Sequence, residues 1–171
     1  STQSATNVNT ILNKTSGIVT ATVSAHTTAN LNTNLVNATA TDALSLTVTD
    51  TNLSSLTNLL ALDAKTSVAV NASNITAISE TYANLNTAYS SAGITGLGNE
   101  AVTITDTQSA TNVNTIANKT TGIVTATVNA DTAANLNTGL SNATATESHN
   151  PQHFRGIKYA GRKQQGPLSS F

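Results

Sequence analysis

The stretch Val102–Thr115, VTITDTQSATNVNT, decides the fold. Its first half, Val102-Thr103-Ile104-Thr105, alternates apolar residues with Thr, the period of a half-buried strand. Its second half, Thr107 to Thr115, sets small residues around a single apolar Val113 flanked by Asn, and reads as a short helix or tight coil. Outward from this stretch, the chain repeats a strand followed by a Φ-Asn-Thr triplet, where Φ is Val or Leu. Thr2–Thr10, TQSATNVNT, recurs without change as Thr107–Thr115, and the likeness continues through Thr41 and Thr146. The long period is therefore 105 residues.

A shorter and looser period lies within it. The triplets start at Val8, Leu31, Leu85, Val113 and Leu136, with a scrambled version at Leu56-Thr57-Asn58, so successive spacings are 23, 25, 29, 28 and 23. Strand-like runs fall between them: Val19–Val23, Leu46–Asp50, Val68–Asn71, Val102–Asp106 and Val124–Val128. Periods of this size belong to solenoids, in which one unit cannot bury its own apolar face and stacking closes a shared interior. The expected class is α/β: a repeat solenoid with one parallel strand and one short helix or turn per ~26-residue coil. Thr132–Asn137 offers a Thr cap and an Ala pair, and Tyr82, Leu85, Ala88 and Tyr89 share a helical face, as do Leu53, Leu56, Leu59 and Leu60. The alternative is an all-β parallel helix, since Asn and Thr are mediocre helix formers. The Φ residues should point inward, and the Asn beside each should bond to the next coil. The longest insertion, Ser91–Glu100, carries three glycines and reads as a spacer loop.

Composition narrows the function classes. Charged residues are 9% and aromatics 3%, both low for a globular enzyme, with 38% apolar content and a net charge of −1. This balance leaves no basic footprint for nucleic acid. With no cysteine, disulfides, Cys-ligated zinc and thiol catalysis are excluded. No run reaches the ~18 apolar residues of a membrane span. Ser1 falls inside a repeat, so the natural N-terminus is expected upstream, and a missing leader says nothing of export.

The array divides from its tail near residue 147. Residues 1–146 are the repeat array, and residues 147–171 follow none of its patterns. The tail holds both prolines, both phenylalanines, two of the three histidines and four of the seven basic residues. It reads as an artefact or truncation of the reading frame, as a C-terminal cap or sorting segment, or as a basic arm for an anionic surface.

The search for chemistry yields little. His149 and His153 have the spacing of helical metal ligands, but Pro151 between them breaks such a helix. His26 is replaced by Asp131 in the second copy. Asp50 and Asp106 are expected to shape the turn after their strands by Asx bonding. No nucleophile motif and no phosphate loop is present, so catalytic, cofactor and metal sites are all expected to be absent, with calcium conceivable but unsupported. One surface feature remains. The outward strand positions Thr20/Thr22, Thr47/Thr49, Thr103/Thr105 and Thr125/Thr127 would stack into two Thr rows, a regular face able to meet ice or a polysaccharide surface. Thr also suits any exposed pleated surface, which is the plainer explanation.

The ordered motifs VTITDTQSATNVNTIANKTTGIVTAT, LSLTVTDTNLSSLTNLLALDAKTSVAVNAS and YANLNTAYSSAGITGLGNEAVTITDT carry a resemblance. Residues 1 to about 146 resemble the tandem repeats of giant extracellular proteins of marine cyanobacteria and of similar long bacterial adhesins. The resemblance implies a non-catalytic structural or adhesive segment, outside the cell or on its surface, with neighbouring repeats of a longer parent chain and a surface or glycan ligand as partners. It brings no catalytic residues, and the tail departs from it.

Overall fold

The computed structural model describes residues 1–143 and 157–159. Among these the fold is mixed α/β, with six short helices and nine short strands. The helices are α1 (Ala5–Leu12), α2 (Thr28–Asn34), α3 (Thr57–Asp63), α4 (Tyr82–Ser90), α5 (Ala110–Ala117) and α6 (Ala133–Gly139). The strands are β1 (Thr20–Thr22), β2 (Ala43–Ser45), β3 (Asn52–Leu53), β4 (Val70–Asn71), β5 (Ala77–Glu80), β6 (Ile94–Thr95), β7 (Ala101–Ile104), β8 (Val124–Val128) and β9 (Ile157–Tyr159).

Four of the six helices, α1, α2, α5 and α6, start where Ser or Thr stands three residues before Asn. The hydroxyls of Ser4, Thr27, Ser109 and Thr132 accept from the N–H groups of Asn7, Asn30, Asn112 and Asn135 at 3.2–3.3 Å. Such caps satisfy donors that a helix start leaves open. The triplets follow inside these helices and inside α4, and each position has its own task. Val8, Leu31, Leu85 and Val113 are buried. Thr10, Thr33, Thr87 and Thr115 each donate 2.9 Å back to the carbonyl four residues earlier. Asn9, Asn32 and Asn114 reach the following unit, at Asn37, Asn58 and Asn142 respectively. Helices this short do not persist alone in water, so burial of the Φ face must hold them.

Every strand pairing is parallel, and each joins a residue to one 20 to 31 positions later. The sheets are β1-β2, β3-β5-β7-β8-β9 and β4-β6. One apolar core of Val, Ile, Leu and Ala, from Ala5 to Val128, runs between helices and strands.

The expectation of one strand per unit is corrected. Two short strands separate α2 from α3, α3 from α4, and α4 from α5. A corner lies between them, and in the third unit it is set at Ala72–Ile75, where the Ile75 N–H donates 3.1 Å to the Ala72 carbonyl. The all-β alternative is set aside by the six helices. The third helix starts later than its leucine spacing suggests: Leu53 lies in β3 and Leu56 caps α3, leaving Leu59 and Leu62 to bury its face. The Ser91–Glu100 loop is a built part of the fold. It contains β6, paired with β4, and Gly96 at φ 87° passes so close to the preceding unit that a Cβ would lie 2.6 Å from the Ser73 nitrogen.

Candidate functional site

The eight threonines of the expected surface face are distributed over different walls of the fold. Thr20 and Thr22 pair with Ala43 and Ser45, whereas Thr47 pairs with Asn71. Thr49 donates its N–H to the His26 carbonyl. Thr103 is in register with Ser79 on one side and with Thr125 on the other. Thr105 lies beyond the end of β7, and Thr127 pairs with Lys158. Thr103 and Thr125 are therefore the one pair of the eight in direct register, and the two continuous Thr rows do not form. The reason is register: Val19–Val23 and Leu46–Asp50 look alike in sequence, yet Thr20–Thr22 pairs with Ala43–Ser45, the residues just ahead of the second run.

The carboxylates form the more regular array. Asp50 stands between β2 and β3, Glu80 ends β5 and Asp106 follows β7, and each reaches a helix start of the preceding unit. Asp50 accepts from Thr28 N–H at 2.6 Å, Glu80 from Leu56 N–H at 3.0 Å, and Asp106 from Tyr82 N–H at 2.9 Å. Negative charge at a helix N-terminus is favourable, and α3 and α4 have no side-chain cap of their own. The expected Asx turns at Asp50 and Asp106 are thus replaced by caps given to a neighbour. In the equivalent place, Asp131 and His26 cap only their own helices, by accepting from Thr132 and Thr27 N–H at 2.7 and 2.9 Å. Burial pushes the Glu80 carboxyl up, but donation from the Thr81 and Leu56 N–H groups outweighs it and the net shift is downward. Asp131 is also shifted downward, first by the Asn135 amide and then by Thr132 N–H.

Two further acids are buried at the entrance to strands, and sequence reading passed over both. Asp42 accepts from Val19 N–H at 2.9 Å and from both the N–H and the hydroxyl of Thr39. Burial alone would raise its carboxyl, and these donors bring it below the ordinary Asp value. Glu100 is fully buried and accepts from Gly98 and Asn99 N–H and from the Tyr89 hydroxyl. Burial first, then Glu100, pushes the Tyr89 phenol far above its ordinary range. A buried Glu beside a Tyr is the arrangement here that most resembles a catalytic pair. Its oxygens are nonetheless committed to the turn that holds them, and it is sealed from solvent. The signal that could have found these acids is an isolated charge at the start of a strand in a chain with few charges.

A shallow groove of about 420 Å³ lies between α5 and α6, lined by residues including Ser109, Asn114, Asp131 and Asn135. Gly139, which stands in the place of Asn34, also lines it; between α1 and α2 Asn34 accepts 3.2 Å from the Thr6 hydroxyl. Its one carboxylate is engaged with Thr132 and Asn135. Among the described residues no group of three or more His, Asp or Glu could hold a metal ion, and no helix is long and apolar enough to cross a membrane. His149 and His153 lie outside the described residues. Comparison with known protein families, curated proteins and solved structures finds no match for this chain.

Proposed function

We propose that the chain is a segment of α/β solenoid whose role is structural, as a spacer or adhesive stretch of a secreted or cell-surface bacterial repeat protein. One observation carries this reading: the recurring polar side chains are spent on holding each unit to the next. Asp50, Glu80 and Asp106 cap the neighbouring helix, Asn9, Asn32 and Asn114 bond across, and Thr66 and Thr120 donate to carbonyls of the preceding unit. Such a chain gains length by adding units, and length is the property a stalk or adhesin needs. The strand offsets of 20 to 25 residues within the array fit one pairing per turn of a solenoid.

The test is to insert a second 105-residue period and measure small-angle scattering. Four units lie in one period, so the maximum dimension should grow by about 19 Å at ~4.8 Å per unit, with an unchanged cross-section. Growth in the cross-section instead would refute the solenoid. Binding of the lengthened chain to polysaccharide surfaces, in proportion to its number of units, would assign the adhesive role; length without binding would assign the spacer.

A further inference from the structure

The two copies of the long repeat are similar in sequence, with Ile11, Thr15 and Gly17 recurring as Ile116, Thr120 and Gly122, and they have different neighbours. In the second copy, the unit running from α5 to β8 is seated on the unit from α4 to β7. The Val102 N–H donates 2.8 Å to the Ile123 carbonyl, and the Thr121 N–H donates 2.8 Å to the Gly98 carbonyl. The Thr120 hydroxyl donates 2.7 Å to the Glu100 carbonyl. Ile116 is 0% exposed, and a Cβ on Gly122 would lie 2.2 Å from the Glu100 oxygen.

The first copy carries the same residues with that neighbour missing. Ile11, the counterpart of Ile116, is 57% exposed. A Cβ on Gly17, the counterpart of Gly122, would meet only Oγ1 of its own Thr15 at 3.4 Å. Thr15, the counterpart of Thr120, accepts from Gly17 N–H at 3.0 Å and is exposed, where Thr120 is buried. Exposure is not raised everywhere in the first copy: Ile18 and Ile123 are alike, at 70% and 64% exposed. Val8 and Val113 are equally buried, at 3% and 4%. On the side toward the preceding unit the difference lies on the surface which that unit covers in the second copy; on the far side it is reversed, with Leu31 and Leu35 0% exposed and their counterparts Leu136 and Leu140 only partly buried.

We propose that the face formed by Ile11, Thr15, Ser16, Gly17 and the Ile18 carbonyl is a docking surface for a repeat unit of the Ala77–Asp106 type, added in parallel register. This rests on the solenoid reading above. The partner must present an exposed strand edge like Val102–Ile104 and two turn carbonyls placed like those of Gly98 and Glu100. A second copy of this chain does not present them, since its own α5–β8 unit already covers them. The occupant is therefore a unit of the same array that carries this sequence at its open end. The glycine supports the assignment: position 17 gains nothing from glycine in the exposed state and needs it once a Glu100-like carbonyl arrives.

The test compares this chain with an extended one in which residues 42–106 are repeated ahead of Thr2. In the chain as it stands, Gly122→Ala should lower the melting temperature by about 5–10 °C, from overpacking against backbone, and Gly17→Ala should leave it unchanged. In the extended chain Gly17→Ala should cost as much as Gly122→Ala, and the Ser16 amide should become protected from hydrogen exchange. Should either alanine prevent folding, Ile11→Val against Ile116→Val gives the same comparison at lower cost. A Gly17→Ala effect that stays negligible in a cooperatively folded extended chain overturns the docking surface, as does an extended chain that melts below the natural one. A harmless Gly122→Ala in the natural chain would instead overturn the seating of α5–β8 on β7, and with it the solenoid reading.

Discussion

Thr66 and Thr120 stand at the same place after a helix, in Lys-Thr-Ser and Lys-Thr-Thr, and each hydroxyl serves two units. Thr66 accepts from Leu44 and Val68 N–H and lies 2.8 Å from the Leu44 carbonyl, to which it donates. Valine has the same shape and no hydroxyl. Thr66→Val should therefore strand a buried Leu44 N–H and cost about 1–3 kcal/mol, whereas Thr15→Val, at an exposed position, should cost under about 0.5 kcal/mol. Urea unfolding of the two variants checks the contrast. Asp42 and Glu80 extend the argument to pH. Both carboxyls are held below their ordinary values in the folded chain, so each adds stability that is full above its unfolded value of about 4. That stability is lost as pH falls through the folded values. Asp42→Asn should lower stability at pH 7 and flatten the acid limb of the stability curve between about pH 5 and 2. An unchanged acid limb would show that the Val19 and Thr39 donors do not favour the charged form.

At the scale of elements, the helix starts are stabilised across units. Asp106→Ala should remove a cap from α4, which has no side-chain cap of its own, and cost about 0.5–2 kcal/mol. Its signature in hydrogen exchange is faster opening at Tyr82 and the next amides of α4, with α5, the nearer helix in sequence, unaffected. Loss of protection in α5 instead would assign Asp106 to its own turn. The helices were legible in part, as a short helix or turn at each triplet, because a single buried Φ leaves a local signature; the hydroxyl cap three residues before Asn is read in the sequence at Thr132 alone, and Ser4, Thr27 and Ser109 carry it too. The alternation Val102-Thr103-Ile104 was legible as well: Val102 and Ile104 are buried and Thr103 is exposed. The corners were not legible. Strands of two to five residues are too short for a period of two to reveal where one ends and the next begins. Thr-x-Thr fits either wall equally, so likeness between Thr20–Thr22 and Thr47–Thr49 could not fix their register. The acids that cap neighbouring units were seen as residues but not as contacts, since the partner lies 22 to 24 positions away.

For the whole molecule, the two ends decide how it behaves in solution. The N-terminal unit is open, as the exposure of Ile11 records. The other end is different. β9 pairs with β8 through Ala126 and Ile157, Thr127 and Lys158, and Val128 and Tyr159. Shifted by one long period, these are the pairings that β1 makes with β2, Ala21 with Leu44 and Thr22 with Ser45. Ile157-Lys158-Tyr159 thus repeats the apolar-polar-apolar order of Leu44-Ser45-Leu46 in the place where a further unit would continue the sheet. A strand there occupies an edge that would otherwise pair with another chain. Removing residues 144–171 should leave two open ends of unlike shape. Unlike ends join head to tail without closing, while a single open end permits nothing larger than a pair. In sedimentation velocity the full chain should remain at or below a dimer. Residues 1–143 should form species that grow with concentration, and should melt at a lower temperature. Equal melting and no growth in size for residues 1–143 would show that β9 contributes nothing to closing the sheet. Growth of the full chain beyond a dimer would show instead that Ile157–Tyr159 leaves the edge of β8 open to other molecules.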